Sequence, residues 1–347
     1  MLNWGILGCG NIAIKFCDVL MQYPQSEHKI IGFASRDKAR AGAYAKKYNC
    51  EKAYSYDEMS KDPTIDIIYI ATNTNLHAEL SIKMLNMKKH VLCEKPMAMS
   101  AESAKLVIET AKRNKVFFTE GLWSRYFPVY KVLKDTFTVE TNPKAIASDM
   151  YDDILHIDKN IEFIHIIFKK HMNKDLFNDK NLGNGAVLSL GCYAIQLVVL
   201  LLGRKFPKIR AKGTLYESGA DANYCAQLVY DNIKVLIKIE TDTKENYSNA
   251  IIGTEKGLLE IPNFHKPTSI ILDDIVYDYS EKVEYTTMGL PITLEKELKT
   301  SGFMFQINTV KKAIDNKKLS TCEMSHEDSI VIAMIQDEIL KQLEVVY

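Results

Sequence analysis

Apolar positions along the first third of the chain follow two alternating rhythms. Short apolar runs at Asn3–Leu7, Lys29–Ser35, Ile65–Ala71, His90–Cys93 and Val116–Thr119 read as strands. Between them, Asn11–Gln22, Lys38–Tyr48, Leu76–Met87 and Ala101–Asn114 read as helices. Strands alternating with helices of about 10–15 residues predict βαβ units and a doubly wound parallel sheet. After Gly121 the rhythm changes, and strand-like runs dominate: Lys144–Tyr151, Lys208–Glu217, Tyr224–Tyr230, Lys234–Thr241, Ala250–Gly253 and Ser269–Tyr277. Asp231-Asn232 stands between two of them as a hairpin turn. Successive strands with short turns predict a large, mainly antiparallel open sheet. The apolar stretch 186–203 and a last helix over Glu327–Leu343, capped by Ser325-x-x-Asp328, would cover one face. The expected architecture is therefore an α/β domain over 1–121 and an α+β domain over 122–347, with the last helix able to pack back on the first domain.

Composition narrows the function classes. The chain has 347 residues, with 44 Lys and Arg against 44 Asp and Glu, so it carries no basic excess of the kind that marks a nucleic-acid binder. Its seven cysteines include no C-x-x-C pair, which points to free thiols and a cytoplasmic protein rather than a disulfide framework. Met1 leads straight into a strand-like run, so no signal peptide is expected. Ala186–Gly203 is nearly continuous apolar sequence, but it is short for a span of ~20 residues. Ser189, Gly191, Tyr193 and Gln196 interrupt it, and a buried helix is expected. The histidines, His156, His165 and His171 among them, show no ligand spacing, and no metal site is expected. Asp152 and Asp153, which follow an expected strand, read as a solvated turn, with a place facing the cleft as the other option.

Gly8-Cys9-Gly10-Asn11-Ile12-Ala13 is a G-x-G-x-x-A motif that follows the first strand and opens a helix. In that context Gly8 permits the tight turn, Gly10 lets the backbone approach a pyrophosphate, and Ala13 lets helix and strand pack closely. The phosphates would lie at the positive helix N-terminus, with Gly8, Gly10, Asn11, Ile12 and Ala13 as cofactor contacts. The second strand ends Ala34-Ser35-Arg36, where an NAD enzyme usually carries a carboxylate for the ribose 2′-hydroxyl. Ser35 and Arg36 would instead donate to a 2′-phosphate, so NADP is favoured, with NAD the other option. Asp37 reads as a helix cap.

Leu92-Cys93-Glu94-Lys95-Pro96 closes a further strand at the carboxyl edge of the same sheet, where open α/β sheets bind ligands. Taken with Gly8-x-Gly10-x-x-Ala13, Ala71-Thr72-Asn73-x-x-Leu76-His77 and Gly185-x-x-x-Ser189-x-Gly191-x-Tyr193, this order of motifs resembles the Gfo/Idh/MocA oxidoreductase family (glucose–fructose oxidoreductase, inositol dehydrogenase). Glu120-Gly121-Leu122-Trp123-Ser124-Arg125-Tyr126-Phe127-Pro128 is similar to the branch containing dimeric dihydrodiol dehydrogenase and NADP D-xylose dehydrogenase. The resemblance implies a Rossmann domain followed by a substrate domain. It implies an enzyme that moves a hydride between a nicotinamide and a CH–OH group of a sugar, polyol or dihydrodiol. It also implies a homodimer.

By the same resemblance, Ala71, Thr72, Asn73, His77, Glu94 and Lys95 contact the cofactor. Lys95, Trp123, Arg125, Ser189 and Tyr193 contact the substrate, and Lys95 and Tyr193 are catalytic, with Tyr193 as general acid/base. Capping or packing accounts for His77 equally well. A free tyrosine titrates near 10, and a lysine cation ~4 Å away contributes about 4 kcal/mol, or ~3 pKa units as an upper figure, before desolvation of the phenol opposes it. Ser189, Tyr193 and Gln196 stand at i, i+4 and i+7 and should share one helix face.

The chain departs from the family pattern in three places: Gly183-Asn184-Gly185 stands where a triple-glycine-like run is common, Ser189 replaces a common Asp, and Asn73 stands where Pro is frequent. Two other readings stand beside the dehydrogenase. One is a redox-silent regulator that binds NADP and a sugar. The other is a lyase or hydrolase that oxidises its substrate transiently.

Overall fold

The structure is a computed structural model that describes residues 1–50, 52–137, 160–173, 177, 179–255, 257–279, 286–287, 290–291 and 302–347. The expected strand Lys144–Tyr151, together with Asp152, Asp153 and His156, lies outside the described residues. The chain divides into two compact units. One comprises Met1–Trp123 with Leu294–Ala333, and the other Ser124–Thr293 with Met334–Tyr347.

The first unit is built on β1 (Leu2–Leu7), α1 (Asn11–Leu20), β2 (His28–Ala34), α2 (Lys38–Lys47), β3 (Lys52–Tyr54), α3 (Tyr56–Lys61), β4 (Ile67–Ile70), α4 (His77–Asn86), β5 (His90–Glu94), α5 (Ala101–Asn114) and β6 (Phe118–Gly121). Its six strands run in the order β3-β2-β1-β4-β5-β6, and every neighbouring pair is parallel. Every residue of β4, Ile-Ile-Tyr-Ile, is 0% exposed, as a strand covered by helices on both faces requires. β3 and α3 lie outside the elements expected from sequence. Three residues are too few to show a period, and α3 owes its start to a Ser55–Glu58 capping box.

The second unit carries α6 (Pro128–Phe137), β7 (Ile161–Lys169), α7 (Cys192–Leu202), β8 (Lys208–Leu215), β9 (Asp221–Tyr230), β10 (Ile233–Glu240), β11 (Tyr247–Thr254), β12 (Gly257–Pro262), β13 (Ser269–Leu272) and β14 (Ile275–Asp278). Eight described strands form one sheet in the order β14-β13-β12-β11-β7-β10-β9-β8. All neighbours are antiparallel except β7 and β10, which are parallel. β7 sits in the middle of this sheet yet lies outside the strands expected from sequence. It carries apolar residues at both parities, Phe163 and Ile167 outward as well as Ile164, Ile166 and Phe168 inward, which blurs the period of two. α7 and the turn before it are almost wholly buried. The stretch Lys180–Leu202 is long and apolar enough to cross a membrane, but 83% of its apolar window is buried inside the protein. It is a core helix.

The chain then returns to the first unit through α8 (Gly302–Asp315) and α9 (His326–Gln342). Phe303 of α8, a helix that also lies outside the expected set, packs edge-on against Phe16 at 5.5 Å. α9 begins as its sequence predicts, with the Asp328 amide donating to Ser325 Oγ at 3.1 Å. Its first turn is tied to β6: His326 Nε2 lies 3.0 Å from the Phe118 carbonyl, and the Ser329 hydroxyl donates to buried Glu120 at 2.8 Å.

Candidate functional site

The glycine turn occupies the sheet's switch point, where the strand order reverses between β1 and β4. Gly8 has φ +113°, and its amide donates to the Ala34 carbonyl at 2.9 Å. A Cβ at Gly8 would overlap the carbonyl oxygen of Ala71, so only glycine fits. Gly10 is the N-cap of α1, and a Cβ there would meet open space. Two glycines two residues apart thus serve different ends. Gly8 lets β1 and β4 close on each other, and Gly10 keeps a gap open in front of the α1 amides. Ala13 is fully buried against the sheet.

That gap belongs to a cavity of about 240 Å³ lined from four strand ends. Gly8, Cys9, Gly10 and Ile12 come from the β1 turn, and Ser35, Arg36 and Arg40 from the end of β2 and α2. Tyr56 follows β3, and Ala71, Thr72, Asn73 and Leu76 follow β4. Among the described residues no carboxylate lines it. Asp37 instead caps α2, accepting from the Ala39 and Arg40 amides at 2.9 and 3.4 Å. The Arg40 guanidinium donates to the Cys9 carbonyl in the glycine turn. Burial pushes the Tyr56 phenol up, against the opposing charge of Arg36. A cavity lined by the glycine turn before α1 and by Arg36 and Arg40 fits a phosphate-bearing dinucleotide.

Of the expected cofactor residues, Asn11, Ala13, His77, Glu94 and Lys95 do not line this cavity. Glu94 is buried, accepts from the Tyr69 hydroxyl at 2.6 Å and from the Lys95 amide at 3.3 Å, and burial pushes its carboxyl up. Lys95 itself is half-buried. His77 is buried, with Nδ1 2.8 Å from the Pro96 carbonyl and Nε2 3.1 Å from the Thr72 carbonyl. It ties the turn after Lys95 to the loop that lines the cavity. Glu120 accepts from the Met97 amide at 3.0 Å and holds the other side of the same turn.

In the second unit the helix bearing Tyr193 begins irregularly. Val187–Gly191 is one turn of π-helix leading into α7. Ser189 and Tyr193 are half-buried, and Gln196, one turn beyond Tyr193 within α7, is fully buried. A Cβ at Gly191 would overlap the Tyr224 hydroxyl, which explains why a glycine stands inside this turn. Asp221 holds the start of the helix. It accepts from the Val187 amide at 2.6 Å and from the Tyr347 hydroxyl, and burial pushes its carboxyl up.

Gln196 is the centre of a buried network. It accepts from Arg125 Nε at 2.5 Å through its side chain, and from the Arg125 guanidinium at 2.7 Å through its carbonyl. Its amide nitrogen donates to the Tyr130 hydroxyl at 2.6 Å and to the Tyr193 carbonyl at 3.0 Å. Tyr130 in turn donates to the Phe264 carbonyl at 3.0 Å. Arg125, an expected substrate contact, is only 4% exposed and is placed to hold α7. Trp123 falls in the first unit, with its ring 5.1 Å from Phe303. Around Tyr193 stand Phe168 of β7, 6.2 Å between ring centroids, and His265, 6.0 Å.

Arg40, Tyr56, Tyr130 and His265 carry much of this geometry and were not expected from sequence. None had a signal in its spacing, because each reaches its place through the fold. Among the described residues no three His, Cys, Asp or Glu side chains gather as a metal would need.

Comparison with known proteins adds the following. A model described as an oxidoreductase family with an NAD-binding Rossmann fold matches residues 2–122, and a GFO/IDH/MocA C-terminal domain model matches 160–260. The chain is 30% identical to a trans-1,2-dihydrobenzene-1,2-diol dehydrogenase of Xenopus tropicalis over 99% of both chains. It is 29% identical to the mouse protein of that name, over 100% of this chain and 98% of the other. A crystal structure of a 3-ketoreductase from Actinomadura kijaniata, in complex with NADP and TDP-benzene, superposes with TM-score 0.77 at 19% identity, covering 99% of this chain and 98% of that one. A dehydrogenase from Clostridium difficile superposes with TM-score 0.74 at 16% identity over 99% of each.

Proposed function

The chain belongs to the Gfo/Idh/MocA oxidoreductase family, and from that premise we propose that it is an NADP(H)-preferring dehydrogenase acting on a CH–OH carbon of a dihydrodiol, sugar or polyol. The observation that carries the cofactor choice is the acid-free end of the β1–β2–β4 cavity, where Ser35, Arg36 and Arg40 stand and Asp37 is occupied as a cap. The 2′-phosphate of NADP would be matched there by guanidinium donors, whereas NAD would find no carboxylate for its ribose hydroxyl. The first unit holds the dinucleotide in this reading, and the second supplies the substrate groups.

When bound, the nicotinamide supplies the hydride acceptor or donor. Tyr193 takes the substrate hydroxyl proton in the oxidative direction and returns it in the reductive one. Lys95 is the second residue assigned to the chemistry, its ammonium countering negative charge on the oxygen of the reacting carbon. Glu94, His77 and Glu120 hold the turn that presents Lys95. Ser189 stands one π-to-α turn before Tyr193 and contacts a second hydroxyl of the substrate. The diol reading follows the two relatives, which are named for a diol.

The chain acts as a homodimer in this reading, because the outward face of the eight-stranded sheet groups Phe163, Leu236, Ile251 and Leu258 on paired strands. A cytoplasmic location accords with seven free thiols.

The test is a panel of dihydrodiols, aldoses and inositols assayed with NADP⁺ and NAD⁺ at the reduced-nicotinamide absorbance band, with light scattering for the dimer. Turnover with NADP⁺ is expected, and Lys95→Met or Tyr193→Phe should lower kcat about 100-fold or more while leaving NADP affinity in place. NADP binding without turnover of any member would assign the protein to the redox-silent reading instead.

A further inference from the structure

His265 is placed with unusual care for a loop residue. It follows β12, and the chain on either side is pinned: the Ser124 hydroxyl donates to the His265 carbonyl at 2.5 Å, and Tyr130 donates to the Phe264 carbonyl at 3.0 Å. Its ring is pinned as well. Nδ1 lies 3.0 Å from the hydroxyl of Ser248 on β11, a residue only 8% exposed. One ring face stacks on Phe168 at 4.7 Å and 27°. The ring then meets Tyr193 edge-on, at 6.0 Å and 72°. Phe168 and Phe264 are buried, while Tyr193 and His265 both keep part of their surface open. The two polar rings therefore form the accessible part of an otherwise apolar aromatic cluster.

The backbone beneath these rings is shared. Gln196 donates to both the Tyr193 carbonyl and the Tyr130 hydroxyl, and Tyr130 holds the Phe264 carbonyl. The loop carrying His265 and the helix carrying Tyr193 are thereby fixed to one buried side chain. An aromatic contact needs no Nδ1, and phenylalanine would supply the ring alone. Histidine adds the hydrogen bond to Ser248, which sets the rotation of its ring and hence the wall against which the Tyr193 phenol rests.

We infer that His265, locked by Ser248, is a positioning residue that orients the Tyr193 phenol for proton transfer. The inference rests on the assignment of Tyr193 as acid/base. It predicts a loss in kcat rather than in binding, because misplacing a proton-transfer group affects the reacting geometry more than the encounter with substrate.

The experiment is a double-mutant cycle on the full chain, assayed with NADP⁺ and the best-turned-over member of the panel above. His265→Phe and Ser248→Ala should each lower kcat about tenfold, with KM within about threefold. The double variant should be no slower than the slower single, since both changes remove one hydrogen bond. NADP affinity and melting temperature, measured alongside, should match the parent. His265→Asn, which keeps a donor and acceptor near the Nδ1 position, serves as a second variant if His265→Phe fails to fold, and should be less impaired in kcat than Ser248→Ala. Tyr193→Phe runs in parallel. If it abolishes turnover while His265→Phe leaves kcat unchanged, or if the two single losses multiply, the positioning role is overturned and the acid/base assignment stands. If Tyr193→Phe retains full activity, the acid/base assignment fails and this inference falls with it.

Discussion

The cavity of the first unit and the ring cluster of the second are assembled by opposite means. Around the glycine turn almost every group comes from a strand end of one parallel sheet. The chemistry there is largely backbone: amides at a helix start, a carbonyl that forbids any side chain at Gly8, and an open space before Gly10. Around Tyr193 the geometry is made of side chains from α6, β7, α7, β11 and the loop after β12, joined by a buried network centred on Gln196. A backbone-built site follows from topology and tolerates changes in most side chains. A side-chain-built site depends on each partner and can be retuned one residue at a time.

If that contrast is right, the largest effect should come from the backbone-built site at its one forbidden position. Gly8→Ala should cost about 4 kcal/mol of stability in urea unfolding, through positive φ and collision with the Ala71 carbonyl together.

Next comes a pH effect in the same unit. His28 is buried, its Nδ1 accepts from Trp4 Nε1 at 3.0 Å, and its Nε2 meets no hydrogen-bond partner among the described residues. Burial, with a smaller contribution from the charge of Lys311, pushes its pKa down to about 4. The folded state therefore binds fewer protons than the unfolded chain between about 6.5 and about 4. Stability should be full above that window and fall as the pH drops through it, by up to about 3 kcal/mol from this residue. His28→Phe should flatten that slope in unfolding curves measured at pH 7 and pH 5.

In the second unit, Arg125→Met should cost about 2 kcal/mol by stranding Gln196. It should lower kcat without changing NADP affinity, whereas an equal loss of cofactor binding would break the separation between the two sites. Arg36→Asp should weaken NADP⁺ about 10- to 100-fold in a fluorescence titration and leave NAD⁺ binding nearly unchanged. The smallest structural effect should be that of Gly10→Ala, within about 1 kcal/mol of the parent in stability. The same change should still weaken the dinucleotide, and undiminished NADP affinity would mean the gap is not where the phosphates lie.

The same contrast explains what could be read in advance. The motif Gly8-x-Gly10-x-x-Ala13, the cap at Asp37, the buried helix after Gly185 and the cap at Ser325 are local, and each was legible because its partners lie within a few residues. His265 and Ser248 are 17 residues apart on neighbouring elements of the sheet, and Gln196 meets Arg125 across 71. No spacing announces such pairs. The helix bearing Tyr193 and Gln196 was legible in the spacing, but the π-turn at Val187–Gly191 that precedes them was not.

The sequence by itself determined the parallel sheet with its glycine turn, the mainly antiparallel sheet that follows, and the family, because these depend on short-range periodicity and on motifs whose residues are neighbours in the chain. The tertiary structure alone decided that Arg125 is buried against Gln196, that Gly8 closes on the Ala71 carbonyl, and that a histidine stands beside Tyr193. Those outcomes depend on which strands become neighbours and on which buried polar groups must find partners, and a linear pattern records neither.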